Sequence, residues 1–129
     1  MTTQQLRQLV TSAKDVPTIE DRGGEIHVLI SPTSVQSAHL IMGTATVPVG
    51  GRVIRHAHPH GEECFYVLQG KGQITFDGIG VMPFQPGEAV LTPQGTVHSI
   101  ENTGDVEIHV VFAAGPLAPS PKDGHILHE

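Results

Sequence analysis

Turn-forming residues interrupt this chain at short, fairly regular intervals, and that punctuation limits what it can fold into. After Pro17 the breaks fall at Gly23-Gly24, Ser31-Pro32, Gly50-Gly51, 59–61, 70–72, Asp77-Gly78, Pro86-Gly87, 93–95 and Thr103-Gly104. Glycine reaches backbone angles closed to other residues and proline fixes its own, so such clusters end regular elements. Between them lie β-prone runs at 25–30, 38–47, 53–57, 64–69, 73–76, 89–92, 97–100 and 106–113. Short strands in succession, with no helix between them, predict an all-β fold: an antiparallel sandwich or jelly-roll barrel.

Fifteen glycines and ten prolines in 129 residues are what such a fold needs. The length accommodates one domain of ordinary size. Only the N-terminal stretch reads differently. Leu6, Leu9, Val10 and Ala13 share one helical face behind a possible N-cap at Thr3, so a short amphipathic helix is expected over 3–13. The tail from Gly115 carries three further prolines and is expected to run along the surface without regular structure.

Charge narrows the function. Thirteen acidic against seven basic residues give a formal charge of −6, and the closest basic pair is Arg52 and Arg55, so no basic face for nucleic acid is expected. No apolar run reaches the roughly 20 residues of a membrane span. The N-terminus lacks the apolar core of a secretory signal, and the single Cys64 cannot form an internal disulfide. A cytoplasmic location is the expectation.

Nine histidines are the other anomaly. Side chains alternate along a strand, so His56 and His58 project from one face if 53–58 is a strand. The turn at 59–61 reverses the chain, and Glu63 then opens the next strand within reach of the same spot. His98 follows the turn at 93–95 and starts another strand. Three neutral imidazoles and a carboxylate suit one divalent transition metal such as Mn, Fe, Co, Ni, Cu or Zn.

These segments resemble the two signature motifs of the cupin superfamily. The first, G(X)5HXH(X)4E(X)6G, runs from Gly50 to Gly70, and the second, G(X)5PXG(X)2H(X)3N, from Gly87 to Asn102. The resemblance implies a jelly-roll (double-stranded β-helix) barrel over 38–114, with 1–37 adding the helix and extra strands and 115–129 packed as a surface tail. It implies a metal held by His56, His58, Glu63 and His98, and commonly a homodimer. Glu62, one residue off, is the alternative ligand. Glu63 is preferred because it begins the run that the family places directly after its ligand.

His60 reads as a loop residue at the cavity mouth and, with Glu63, is a candidate for proton transfer. In phase with Glu63, Phe65 and Val67 point inward while Cys64, Tyr66 and Leu68 point the other way. Tyr66 and Leu68 would give a dimer interface apolar area, and Cys64 reads as a small buried hydrophobe. Met82 and Phe84 read as core. Phe65, Phe76, Phe112 and Arg52 are candidates for a substrate pocket, Arg52 because it is in phase with the ligands unless a bulge turns it outward. Ile108, Val110 and Phe112 form the apolar face of the last strand, with His109 opposite. His27, His39, His125 and His128 match no ligand spacing and read as structural or surface residues.

The expected function is that of a metal-dependent enzyme acting on a small organic molecule. Three His and one Glu is the ligand set that resembles quercetin dioxygenases, acireductone dioxygenases and oxalate-cleaving cupins. Dioxygenase-like oxidation leads, with isomerisation, decarboxylation or elimination as other metal-activated reactions. A non-catalytic binding or sensor protein, its metal structural or ligand-positioning, is the alternative.

Overall fold

The structure, a computed structural model, describes residues 1–128. Two five-stranded antiparallel sheets face each other. One has the order β1 (Glu25–Ile30), β2 (Ile41–Val47), β9 (Ile108–Gly115), β4 (Glu62–Gln69), β7 (Ala89–Thr92). The other runs β10 (Ile126–Leu127), β3 (Arg52–Ala57), β8 (His98–Asn102), β5 (Gly72–Phe76), β6 (Gly80–Phe84). Successive strands alternate between the sheets from β2 to β5, which is the jelly-roll arrangement.

Period-two alternation builds the core between the sheets. Phe65 and Val67 of β4 and Ile108, Val110 and Phe112 of β9 are buried, while their neighbours Tyr66, Leu68 and His109 are exposed. Ile74 and Phe84 close the core from the opposite sheet, the Phe84 ring meeting Phe65 edge-on at 5.4 Å between centroids. Each such side chain contributes about 1.5–3 kcal/mol through burial.

Two motif positions have structural explanations. Gly70 has φ +87°, and a Cβ there would lie 2.8 Å from the Glu107 carbonyl oxygen, so only glycine makes this strand exit. Asn102 is 4% exposed; its amide donates to the Val47 and Val106 carbonyls, and its side-chain oxygen accepts from the Gly104 N–H. It ties the ends of β2, β8 and β9 together.

Some expectations are corrected. Helix α1 covers only Thr3–Arg7, and its N-cap is Thr2, in a reciprocal capping box with Gln5. Leu6, Leu9 and Val10 remain exposed, so no tertiary burial extends the helix. Cys64 points outward as its phase requires, but it is exposed rather than buried. Turn punctuation does not mark strand β6, an edge strand on which Val81 and Met82 are exposed, so Met82 is not core as expected, whereas Phe84 is. The tail also acquires regular structure, a 3-10 turn at Pro121–Gly124 followed by β10.

Candidate metal centre

Strands β3 and β8 carry three imidazoles to one point. Their register pairs His56 with His98, and His58 follows just past the end of β3. Nitrogen atoms of His56, His58 and His98 all lie within 4.8 Å of one another. His56 and His98 are 4% and 1% exposed, and the His58 side chain is 14% exposed. Glu63, at the start of β4 in the other sheet, reaches the group through His58: its Oε2 is 3.2 Å from His58 Nε2.

Each ring is oriented by a backbone carbonyl. His56 Nδ1 contacts the Ile54 carbonyl at 2.7 Å, His98 Nδ1 the Thr96 carbonyl at 2.9 Å, and His58 Nδ1 the Gly124 carbonyl at 2.8 Å. A carbonyl only accepts, so each Nδ1 carries the proton and each Nε2 presents a lone pair. The Nε2 atoms of His58 and His98 are buried and have no hydrogen-bond partner. Unpaired buried acceptors cost stability unless something satisfies them. A divalent cation does so for every one of these donors at once, so the residues fit a metal of the imidazole-and-carboxylate class.

Electrostatics agree with that fit. Burial, reinforced by His98, holds the His56 imidazole down to about 3, and burial likewise lowers His58 and His98. The rings are therefore neutral at pH 7, as metal ligands must be. Burial pushes the Glu63 carboxyl up to about 7, against the opposing pull of His98 and Arg22.

The remaining candidates are more dispersed. His60 is exposed, beside a small cleft lined by Ile41, His58, Glu62, Leu117 and Gly124. Glu62 is exposed. Phe76 approaches the cluster, its ring centroid 6.4 Å from that of His98, whereas Phe65 and Phe112 belong to the packed core. Arg52 is not brought to the cluster. The β3 register shifts between Val53 and His56, both of which are buried, and this leaves Arg52 exposed opposite Glu101. The bulge breaks the phase that would have aligned Arg52 with the ligands.

The structure adds residues that spacing did not reveal. His125, read as structural or surface, stacks on His56 with centroids 4.3 Å apart and planes 16° from parallel, and meets His58 at 5.6 Å. Burial and the Arg22 charge hold its imidazole down to about 4. Arg22, in the loop before β1, also disfavours protonation of His58. Neither residue lies within a ligand motif, so local spacing carries no signal for them.

Comparison with known proteins follows the same lines. The family model of the cupin domain, Cupin_2, matches residues 43–113. The chain belongs to the cupin family. This cupin is 40% identical over 126 residues to protein SchB of Streptomyces halstedii, covering 98% of this chain and 89% of that one. It is 33% identical to the polyketide synthase protein CurC of Streptomyces cyaneus, covering 94% of this chain and 78% of the relative. Among solved structures, an uncharacterized conserved protein with a double-stranded β-helix domain from Klebsiella pneumoniae superposes with a TM-score of 0.72 at 18% identity, covering 93% of this cupin and 96% of that chain. That likeness concerns the fold alone. Among the described residues, no helix is long and apolar enough to cross a membrane.

Proposed function

We propose that this cupin is a metal-dependent enzyme acting on a small organic molecule that offers adjacent or 1,3-related oxygen donors, such as an enolisable carbonyl compound or a phenol. The observation that carries this reading is the convergence of His56, His58 and His98, each Nδ1 held by a carbonyl and each Nε2 left for a ligand. Glu63 completes the set. Bound there, a divalent ion (Mn, Fe, Co, Ni, Cu or Zn) supplies Lewis acidity to a chelated oxygen and, if redox-active, a route to dioxygenase-like oxidation.

The chain's own residues do the rest. Three neutral imidazoles keep the centre's charge low, so an anionic enolate or phenolate is admitted without repulsion from several carboxylates. In the metal-free site burial keeps a proton on Glu63 up to about 7; the ion would hold it as the carboxylate, the form that can accept a proton from substrate. His60 stands beside the cleft, and Phe76 gives the centre an apolar neighbour. The name of the Streptomyces cyaneus relative supports a polyketide-like substrate, whose repeated carbonyls enolise and chelate. Oxidation, isomerisation, decarboxylation and elimination are the reactions that such a substrate would open to this site. We further assign the exposed face around Tyr66 and Leu68 to a homodimer contact.

Elemental analysis of untagged protein, followed by oxygen uptake and product analysis with 1,3-diketones, catechols and enolisable acids, tests the proposal. Stoichiometric metal and turnover lost in His56→Ala and His98→Ala are expected; absence of metal before and after reconstitution would remove the reading. The second reading, a non-catalytic small-ligand binding or sensor cupin, is favoured by the His125 ring covering His56. Saturable binding of a panel compound without its consumption would select it.

A further inference from the structure

The three imidazoles are not supported alike. His56 and His98 each find a carbonyl two residues back, on Ile54 and Thr96, so their orientation is built into β3 and the entry to β8. His58 lies beyond the end of β3 and has no such local partner. Its Nδ1 proton goes to Gly124, at the close of the 3-10 turn in the tail.

The same tail is fastened along the segment that leads to His58. Ile126 pairs with Ala57 and Leu127 with His56. The His128 N–H donates to the Arg55 carbonyl at 2.9 Å, and Arg55 Nη1 donates to the His128 carbonyl at 3.0 Å. Arg55 is itself ion-paired with Asp77 at the β5–β6 turn, which anchors the fastening to the sheet. Between the Gly124 contact and this short ladder sits His125, flat against His56. Backbone pairing, a carbonyl contact and a ring stack thus bear on the two histidines of one ligand pair.

We propose that residues 121–128 form a strap whose Gly124 carbonyl and His125 ring position His56 and His58 for the metal, so that strap docking and metal binding strengthen each other. The inference rests on the metal reading given above. His125 is a positioning residue here: it acts through the face of His56. By thermodynamic reciprocity, the factor by which a docked strap raises metal affinity equals the factor by which metal favours the docked strap.

The test uses Co²⁺ as the probe, with affinity measured by competition against a chelating dye, coordination by visible absorption, and strap docking by hydrogen exchange at the His128 amide. His125→Ala removes the ring, and His128→Pro removes the N–H that bonds Arg55 without touching a ligand. Each is expected to weaken Co²⁺ binding about 10–100-fold, the usual effect of losing an outer-shell partner. His125→Phe restores most of the affinity by restoring the stack, and Lys71→Ala, at an exposed residue outside the strap, leaves it unchanged. Co²⁺ slows exchange at the His128 amide in the unaltered chain. Circular dichroism of each metal-free variant separates lost positioning from lost fold, and because the two disruptive variants differ in kind, either one alone suffices. Unaltered affinity in both, or exchange indifferent to Co²⁺, overturns the proposal. So does a His125→Phe variant as weak as His125→Ala with altered Co²⁺ absorption, since His125 would then be a ligand itself. A native chain that takes up no Co²⁺ fails at the earlier step, the metal reading, and is recognised before any variant is made.

Discussion

The imidazole of His125 lies face to face with that of His56, one from the C-terminal tail and the other from the middle of the barrel. The ligand set of a small cupin is read from two motifs within residues 50–102, yet this ring contact comes from outside both.

Glu63 and Glu62 are neighbours with opposite environments. Glu63 Oε2 is 3.2 Å from His58 Nε2 and its carboxyl is pushed up to about 7, while Glu62 is exposed. Glu63→Gln should weaken Co²⁺ binding at pH 8 by at least tenfold, and Glu62→Gln should leave it within about twofold. Dye competition checks both, and the reverse order would assign the carboxylate to Glu62.

Metal should stabilise the fold through its ligands. A metal that binds only the folded chain adds about 2.7 kcal/mol at a free concentration 100 times its Kd. Thermal melts should therefore shift upward with Co²⁺ in the native chain and not in His98→Ala. An equal shift in both would place the metal elsewhere.

Acid should destabilise the metal-free protein. His56 and His125 titrate near 3 and 4 in the folded chain, and His58 and His98 are also lowered from 6.5, so below 6.5 the unfolded chain binds more protons. Stability from these groups is complete above 6.5 and lost as the pH falls. Glu63 works the other way: it keeps a proton to about 7 when folded against 4.5 when unfolded, which costs stability as pH rises between those values. Four groups outweigh one, so urea midpoints measured with a chelator present should fall from pH 6.5 to 4.5 and change little from 7 to 8. A midpoint that rises on acidification would contradict the burial of the imidazoles.

Asn102 holds structure, not metal. Asn102→Ala leaves the Val47 and Val106 carbonyls and the Gly104 N–H without their partner, a loss of about 2–4 kcal/mol. Urea denaturation should register it, while Co²⁺ affinity of the folded fraction stays the same.

The outer face of β4 and β7 should join two copies. Tyr66, Leu68 and Leu91 are each about half exposed on that face, with Cys64 opposite Leu91 in the register. Light scattering should find a dimer that Tyr66→Asp converts to monomer, and the Cys64 thiol should be alkylated faster in the variant. A monomeric native chain at micromolar concentration would remove this interface.

What the sequence makes legible is local in origin. Turn clusters mark most strands, and alternation orients Phe65 against Tyr66, because both depend on residues a few positions apart. His56, His58 and Glu63 are close in sequence with one turn between them, but His98 joins them through the long-range β3–β8 pairing, and it is the resemblance to the two cupin motifs that groups all four. The helix ends early because a periodic stripe needs a partner surface, and Leu6 and Leu9 have none. Strand β6 escapes notice because an edge strand with exposed Val81 and Met82 and a proline lacks a clear pattern. Arg22 and His125 reach the centre through contacts distant in sequence, for which no spacing rule exists.

The Gly124 carbonyl on His58 also divides the cluster by how far each support lies along the chain. Two of the three imidazoles take their orientation from carbonyls two residues back. The third takes it from a residue 66 positions on, in the C-terminal tail. Local opening of that tail would therefore leave two well-aimed nitrogens and one loose one while the sheets stay paired.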